Sequence, residues 1–293
     1  MKMCDRTALR LLLLAFALGL ALGGCGKPQK DPTEAPTGPN EKNAPNEPTA
    51  DSLKAVKKDK SIDLSKGIDE AFWAELPAYR VKMSKQPMQK PFSHNTLDSL
   101  SVKAFHNRKE IYIHLSWADP SESRDFGVAK FSDAVAVMWP VDTATQSMII
   151  MGTGGKVNIW QWRGNLDRKQ FDKSYRKPLT AYVDYYYPFE KKEARSVQDR
   201  DYPHAVIDYI AKGFATITPK SRQSVEGRGF WHDGRWNVVI KRALVTEDAK
   251  EEAQIVAGDK MKIAFAVWNG GKRDTGGRKF FSGLAWLTID VEK

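Results

Sequence analysis

Leu100-Ser101-Val102-Lys103-Ala104-Phe105-His106-Asn107-Arg108-Lys109-Glu110-Ile111-Tyr112-Ile113-His114-Leu115-Ser116-Trp117 reads as two strands folded on a turn. Leu100, Val102 and Ala104 alternate with other residues, Asn107-Arg108-Lys109 supplies turn formers, and Ile111, Ile113, Leu115 and Trp117 answer on the return. A strand sends successive side chains to opposite faces, so two matched apolar sets predict a hairpin with a buried face. The opposite face, carrying Tyr112, His114 and Ser116, is expected in solvent. Working outward, residues 134–139 are apolar on both faces, as in a central strand. Residues 147–151 and 157–162 flank a Gly152-Thr153-Gly154-Gly155 break, and 230–239 surround Asp233-Gly234, a tight-turn dipeptide. Residues 261–268 and 280–291 predict two closing strands. Helical periodicity is weak: 202–212 predicts a short helix and 69–75 a single turn. Short strands joined by Gly- and Asp-containing turns predict an all-β, antiparallel β-sandwich with few short helices. The basic segment 163–200, with Tyr185-Tyr186-Tyr187, reads as a long excursion from it.

Composition agrees. Of 293 residues, 41% are hydrophobic and 11% aromatic, enough to bury a core and to exclude disorder of the whole chain. The net charge of +10 is scattered rather than blocked. The one long apolar run, residues 11–22, is too short to span a bilayer comfortably. Two cysteines, Cys4 and Cys25, cannot build a disulfide framework or a structural zinc site, and no Cys-x-x-Cys-His attaches a c-type haem.

The N-terminus carries an address. Lys2, Arg6 and Arg10 precede the apolar run, which ends in Leu22-Gly23-Gly24-Cys25, the pattern of a lipoprotein signal over residues 1–24 with Cys25 as the lipidated first residue of the mature chain. With Cys25 modified the mature chain has no free thiol, which suits an oxidising compartment. The expected location is the periplasmic side of a bacterial membrane. Gly26, rather than aspartate, follows the cysteine and favours the outer over the inner membrane. Residues 25–61 are rich in proline and polar residues and predict a disordered tether. The folded domain is expected over 62–293.

Catalytic constellations are absent. The histidines (His94, His106, His114, His204 and His232) lack metal-ligand spacing, no Gly-x-Ser-x-Gly occurs, and Gly152-Thr153-Gly154-Gly155-Lys156 fails as a phosphate loop because Val157 and a strand follow it. Nucleic acid is not an expected partner, given the secretory address and the lack of aromatic interleaving among the basic residues. A binding role is left. Asn158, Trp160 and Trp162 fall on one face of their strand, with Val157 and Ile159 on the other.

These segments resemble a known family. The run 133–140, Met151-Gly152, 157–162, 213–219, 229–236, 263–268, and Lys279 with Ser282 are similar to the haem b-binding gamma subunit of ethylbenzene dehydrogenase and to related subunits of dimethylsulfide dehydrogenase and of selenate and chlorate reductases. The resemblance covers the whole folded part. It implies one non-covalent haem b, with Met151 and Lys279 as axial ligands and Asn158, Trp160 and Trp162 beside the cofactor. It also implies electron transfer between the iron–sulfur subunit of a molybdenum enzyme and a soluble carrier. Met138 and Met148 are rival thioethers, and His114 or His232 the rival second ligand. A lysine must lose its proton to bind iron; burial against Phe280 and Phe281 and the charge of Arg278 would favour that. Gly276 and Gly277 would let the backbone approach a flat ring. The alternative is a haem-free, carbohydrate-binding-type sandwich lipoprotein whose tryptophans stack on sugars.

Overall fold

A computed structural model describes residues 51–88, 90–127, 129–141, 149, 155–175, 202–213 and 216–293. The signal, Cys25, most of the tether, Met148, Met151 and Tyr185-Tyr186-Tyr187 lie outside the described residues.

In chain order the strands are β1 (Leu53–Lys57), β2 (Tyr79–Lys82), β3 (Ser84–Lys85), β4 (Ser99–His106), β5 (Glu110–Ala118), β6 (Ala134–Pro140) and β7 (Val157–Arg163). There follow β8 (Val206–Ala211), β9 (Thr218–Pro219), β10 (Glu226–His232), β11 (Arg235–Ala243), β12 (Lys260–Trp268), β13 (Phe280–Phe281) and β14 (Leu287–Val291). Among the described residues, two short helices, α1 (Glu70–Glu75) and α2 (Gly164–Phe171), and two 3-10 turns complete the set.

The strands form two sheets. The first runs β10-β11-β5-β4-β1-β14-β12, with β2 also on β4. The second runs β12-β6-β7-β8-β9, with β13 and then β3 on the other side of β12. The start of β12 pairs with β14 and its end with β6, so one strand serves both sheets. The inner faces meet in a common core: Leu100, Val102, Ile113, Leu115 and Trp236 from the first sheet, Val135, Val137, Trp139, Trp160 and Trp162 from the second. This is the expected sandwich, antiparallel except at β1, which pairs in parallel with β4 and β14.

The expected hairpins form. Asn107 accepts from the backbone N–H groups of Lys109 and Glu110 between β4 and β5. Asp233 (φ 48°) and Gly234 (φ 73°) make the two-residue turn that places Trp231 opposite Trp236.

Four expectations need correction. The fold starts before residue 62, because β1 lies inside the expected tether: Leu53 and Ala55 are buried while Lys54 and Lys57 face out, a short alternation hidden in polar composition. The stretch 202–212 contains strand β8 (Val206–Ala211), not a helix. Val206, Ile207 and Ile210 are β-branched, and with both faces of β8 largely covered no alternation shows in the sequence. The segment after Arg163 opens with α2, where Gly164 packs against Ser132, Ser123 and Asp133 at 3.1–3.4 Å from an added Cβ. The Tyr112–His114–Ser116 face is not solvated. Helix α1 and the turn Leu64–Lys66 lie over it, so Trp73, Phe105 and Tyr112 make a second core and His114 stacks on Trp73 with centroids 4.9 Å apart.

That burial has a consequence in acid. Desolvation, helped by the charges of Lys103 and Arg235, pushes His114 down to about 3. The folded protein therefore keeps this imidazole neutral, while the unfolded chain takes up a proton below about 6.5. The contribution is present above pH 6.5 and is lost as pH falls toward 3. Between pH 6.5 and 5 it amounts to about 2 kcal/mol at 1.36 kcal/mol per pH unit. His114→Leu is expected to remove that part of the acid destabilisation in urea titrations at the two pH values. An unchanged loss in the variant would refute it.

Candidate functional site

The outer face of the second sheet is apolar, with a patch of alanines along β6 and β12. Ala134, Ala136 and Met138 of β6, Val157 and Ile159 of β7, Ile207, Tyr209 and Ala211 of β8, and Ala266 and Trp268 of β12 form one cluster with Trp286. Alternation produces it: in β6 and β12 the large residues Val135, Val137, Trp139, Phe265 and Val267 go inward, leaving alanines outside. A face of alanines is flat.

Lys279 reaches this face from the loop between β12 and β13. The loop is tightly held. Asn269 accepts from the Lys272 N–H at 2.8 Å, Asp274 accepts from the Asn269 N–H and from Ser93 Oγ, and the Gly270 N–H donates to Asp133 at 2.7 Å. Trp268 Nε1 donates to the Gly276 carbonyl at 3.0 Å, which orients the indole, and the Gln86 N–H donates to the Lys279 carbonyl at 3.1 Å. Lys279 Nζ then stands 5.1 Å from the centroid of the Trp268 ring. It has no acidic or hydrogen-bonding partner among the described residues, and burial alone holds its ammonium below the ordinary lysine value. Trp268 does the covering; Phe280 points into the sandwich core instead. Gly276 serves the turn at φ +56° with open space around it, and the close-approach glycine is Gly270.

Asn158, Trp160 and Trp162 come together on the inner face, opposite to the side Lys279 occupies. Asn158 donates to Asp208 and to the Tyr209 carbonyl and accepts from Trp160 Nε1 and from Arg242 of the first sheet. The Arg242 guanidinium lies 4.5 Å over the Trp160 ring and reaches the Ala253 carbonyl, so it ties sheet to sheet. Burial pushes Asp208 up to about 7 against its bond from Asn158 and the charge of Lys220. Trp162 Nε1 donates to Asp167 at 3.0 Å. Among the described residues, Met138 is the methionine on the Lys279 face. Ile149, two residues before Met151, donates its N–H to the Leu284 carbonyl at 3.2 Å. His114 and His232 belong to β5 and β10 of the other sheet, the first buried and the second 79% exposed beside Asp233. Sequence reasoning missed Trp268; the alternation of alanines with large residues in β6 and β12 was the readable signal that this residue lies on the Lys279 face.

Five of the nine tryptophans, Trp117, Trp139, Trp160, Trp162 and Trp236, are buried in the core and pack on one another there, so these five offer no sugar platform. Among the described residues no cluster of three or more His, Cys, Asp or Glu could hold a metal ion, and no helix is long and apolar enough to cross a membrane.

Residues 70–280, most of the sandwich with its Lys279 loop, match the family model described as ethylbenzene dehydrogenase. The chain belongs to the ethylbenzene dehydrogenase family. A relative described as the respiratory nitrate reductase heme subunit ORF7 of Haloferax mediterranei is 30% identical over 72% of this chain and 63% of its own length. The dimethylsulfide dehydrogenase subunit gamma of Rhodovulum sulfidophilum is 24% identical over 75% of this chain and 72% of its own. The chain thus spans somewhat under two thirds of the first of these relatives. Among solved structures, a family 9 carbohydrate-binding module from Caldicellulosiruptor kristjanssonii, in complex with cellotriose, aligns over 82% of this chain and 93% of the module with 9% identity and a TM-score of 0.44. Within the ethylbenzene dehydrogenase family fold, the feature of chemical interest here is therefore a half-buried amine over an indole, on a flat apolar face.

Proposed function

We propose that this ethylbenzene dehydrogenase family protein holds one haem b non-covalently on the outer face of its second sheet and is the electron-transfer subunit of a molybdenum oxidoreductase. The observation that carries the reading is Lys279: a desolvated amine without an acidic partner, over Trp268, beside a floor of alanines. The residues fit the group. Lys279 would hold the iron from one side chain and a methionine thioether from another, Met151 by the family pattern, with Met138 already on this face. Haem, when bound, supplies one-electron chemistry at iron, and a Met/Lys ligand pair tunes its potential from opposite directions.

The chain's own residues prepare that site. Desolvation lowers the cost of removing the Lys279 proton, which binding to iron requires. Trp268 fixes where the amine stands, and Ala134, Ala136 and Ala266 let a flat ring approach while keeping water from its face. Electrons would pass between an iron–sulfur partner subunit and a soluble carrier; the description of the Haloferax mediterranei relative as a heme subunit supports the haem role alone. The Leu22-Gly23-Gly24-Cys25 motif supports a lipid anchor at Cys25 on the periplasmic side of the membrane, the outer one by the Gly26 criterion.

The test is a reduced-minus-oxidised visible spectrum with a pyridine haemochrome assay on the full chain from a secreting, haem-replete host. About one haem b per chain with a sharp low-spin alpha band is expected. Lys279→Ala should abolish or shift that band, and Met151→Ala compared with Met138→Ala identifies the thioether. A folded protein that stays colourless after hemin addition would overturn the reading.

A further inference from the structure

We propose that Arg163, assisted by Tyr209, binds a carboxylate of the bound porphyrin at the edge of the alanine floor; the inference rests on the haem reading above. Arg163 ends β7 on the same face as Val157 and Ile159. It lies opposite Ala134 of β6, and Ala134 lies opposite Trp268 of β12. Arg163 and Trp268 thus share one row across the sheet, two strand spacings or roughly 10 Å apart. Lys279 Nζ stands over one end of that row and the guanidinium belongs to the other, with alanine between. The span is comparable to that from a porphyrin's centre to its carboxylate arms.

The guanidinium is poised for an anion. Arg124, Arg168 and Arg222 each pair with carboxylates, and Arg242 binds Asn158 and backbone oxygens. Arg163 instead lies 4.8 Å over the Phe126 ring and bonds the Tyr209 hydroxyl, with no carboxylate partner among the described residues. Burial is the leading influence on it. An arginine cannot shed its proton to relieve that cost, whereas an incoming carboxylate would relieve it, and the fork of N–H groups matches a carboxylate's two oxygens. Tyr209, kept protonated because burial pushes it up to about 12, accepts from Arg163 and retains its O–H for the same anion.

The experiment compares hemin with hemin dimethyl ester, which has the same ring and iron but no ionisable carboxylates, titrated by absorbance into the full-length protein. The wild type is expected to bind hemin about 10- to 100-fold more tightly, the range of a charge-assisted hydrogen-bonded pair. Arg163→Gln should lose that preference by weakening hemin alone, leaving ester affinity and the low-spin band in place. Arg163→Lys should retain part of it. Equal affinity of the wild type for the two porphyrins, or an unchanged preference in Arg163→Gln, overturns the proposal while haem binding stands. A wild type that takes up neither porphyrin overturns the haem reading itself.

Discussion

Trp162→Ala is expected to lower the free energy of unfolding by about 3–5 kcal/mol, the range for removing a large buried aromatic side chain. Trp162 is completely buried and touches Trp117 and Trp236 with centroids 6.5 and 4.9 Å away. Its neighbours cannot close the gap. The ring lies against Gly229, where even an added Cβ would come within 2.2 Å of it, so that strand is shaped to the indole. Its N–H also serves Asp167, which accepts from the Gly229 N–H and pairs with Arg124 at 2.5 Å. Removing the ring leaves a buried carboxylate with one donor fewer. Trp162→Phe keeps most of the volume and should cost clearly less. Because the ring faces the sandwich interior, the phenylalanine variant should bind hemin as the wild type does. Urea unfolding and a hemin titration on the same samples decide it: a loss below about 1 kcal/mol for alanine would contradict the packing argument, and a changed haem band in the phenylalanine variant would show Trp162 beside the cofactor.

Gly270→Ala is the second large effect, about 3 kcal/mol at the upper end of overpacking costs. The added Cβ would lie 2.0 Å from the Phe131 carbonyl oxygen and 2.7 Å from the Ser132 carbonyl carbon, both backbone atoms that cannot rotate aside. Any shift also stretches the bond from the Gly270 N–H to Asp133. Asp133 and Asp119 form a buried carboxyl pair, raised by desolvation and, at Asp119, by repulsion from Asp133, so it depends on every donor it has. The same loop delivers Lys279, so Gly270→Ala is expected to disturb the lysine's position along with stability. Gly276→Ala is the control in that loop. It has open space and strains only a left-handed backbone, at about 1–2 kcal/mol. Thermal unfolding of the two variants should rank Gly270→Ala as the more damaging, and the reverse order would refute the close-approach reading.

The sandwich was legible in residue order, because wherever one face is buried and the other is not, the period of two is written directly into the chain. The β4–β5 and β10–β11 hairpins, and the division of β7 into an Asn158-Trp160-Trp162 face and a Val157-Ile159 face, were legible for that reason. Lys279 entered the reading through motif resemblance alone. Where both faces are covered the period disappears: β8 looked helical, and His114 looked solvated until α1 and Trp73 were folded over it. Alternation also says that two faces differ without saying which one meets the opposing sheet. That choice belongs to the pairing of distant strands, and it turned the tryptophan row inward while placing Lys279, Trp268 and Arg163 along the outer face. Arg163 and the Trp268–Lys279 pair, more than a hundred positions apart in the chain, share a face because strand registers β7–β6–β12 align them, a non-local fact that no local pattern encodes.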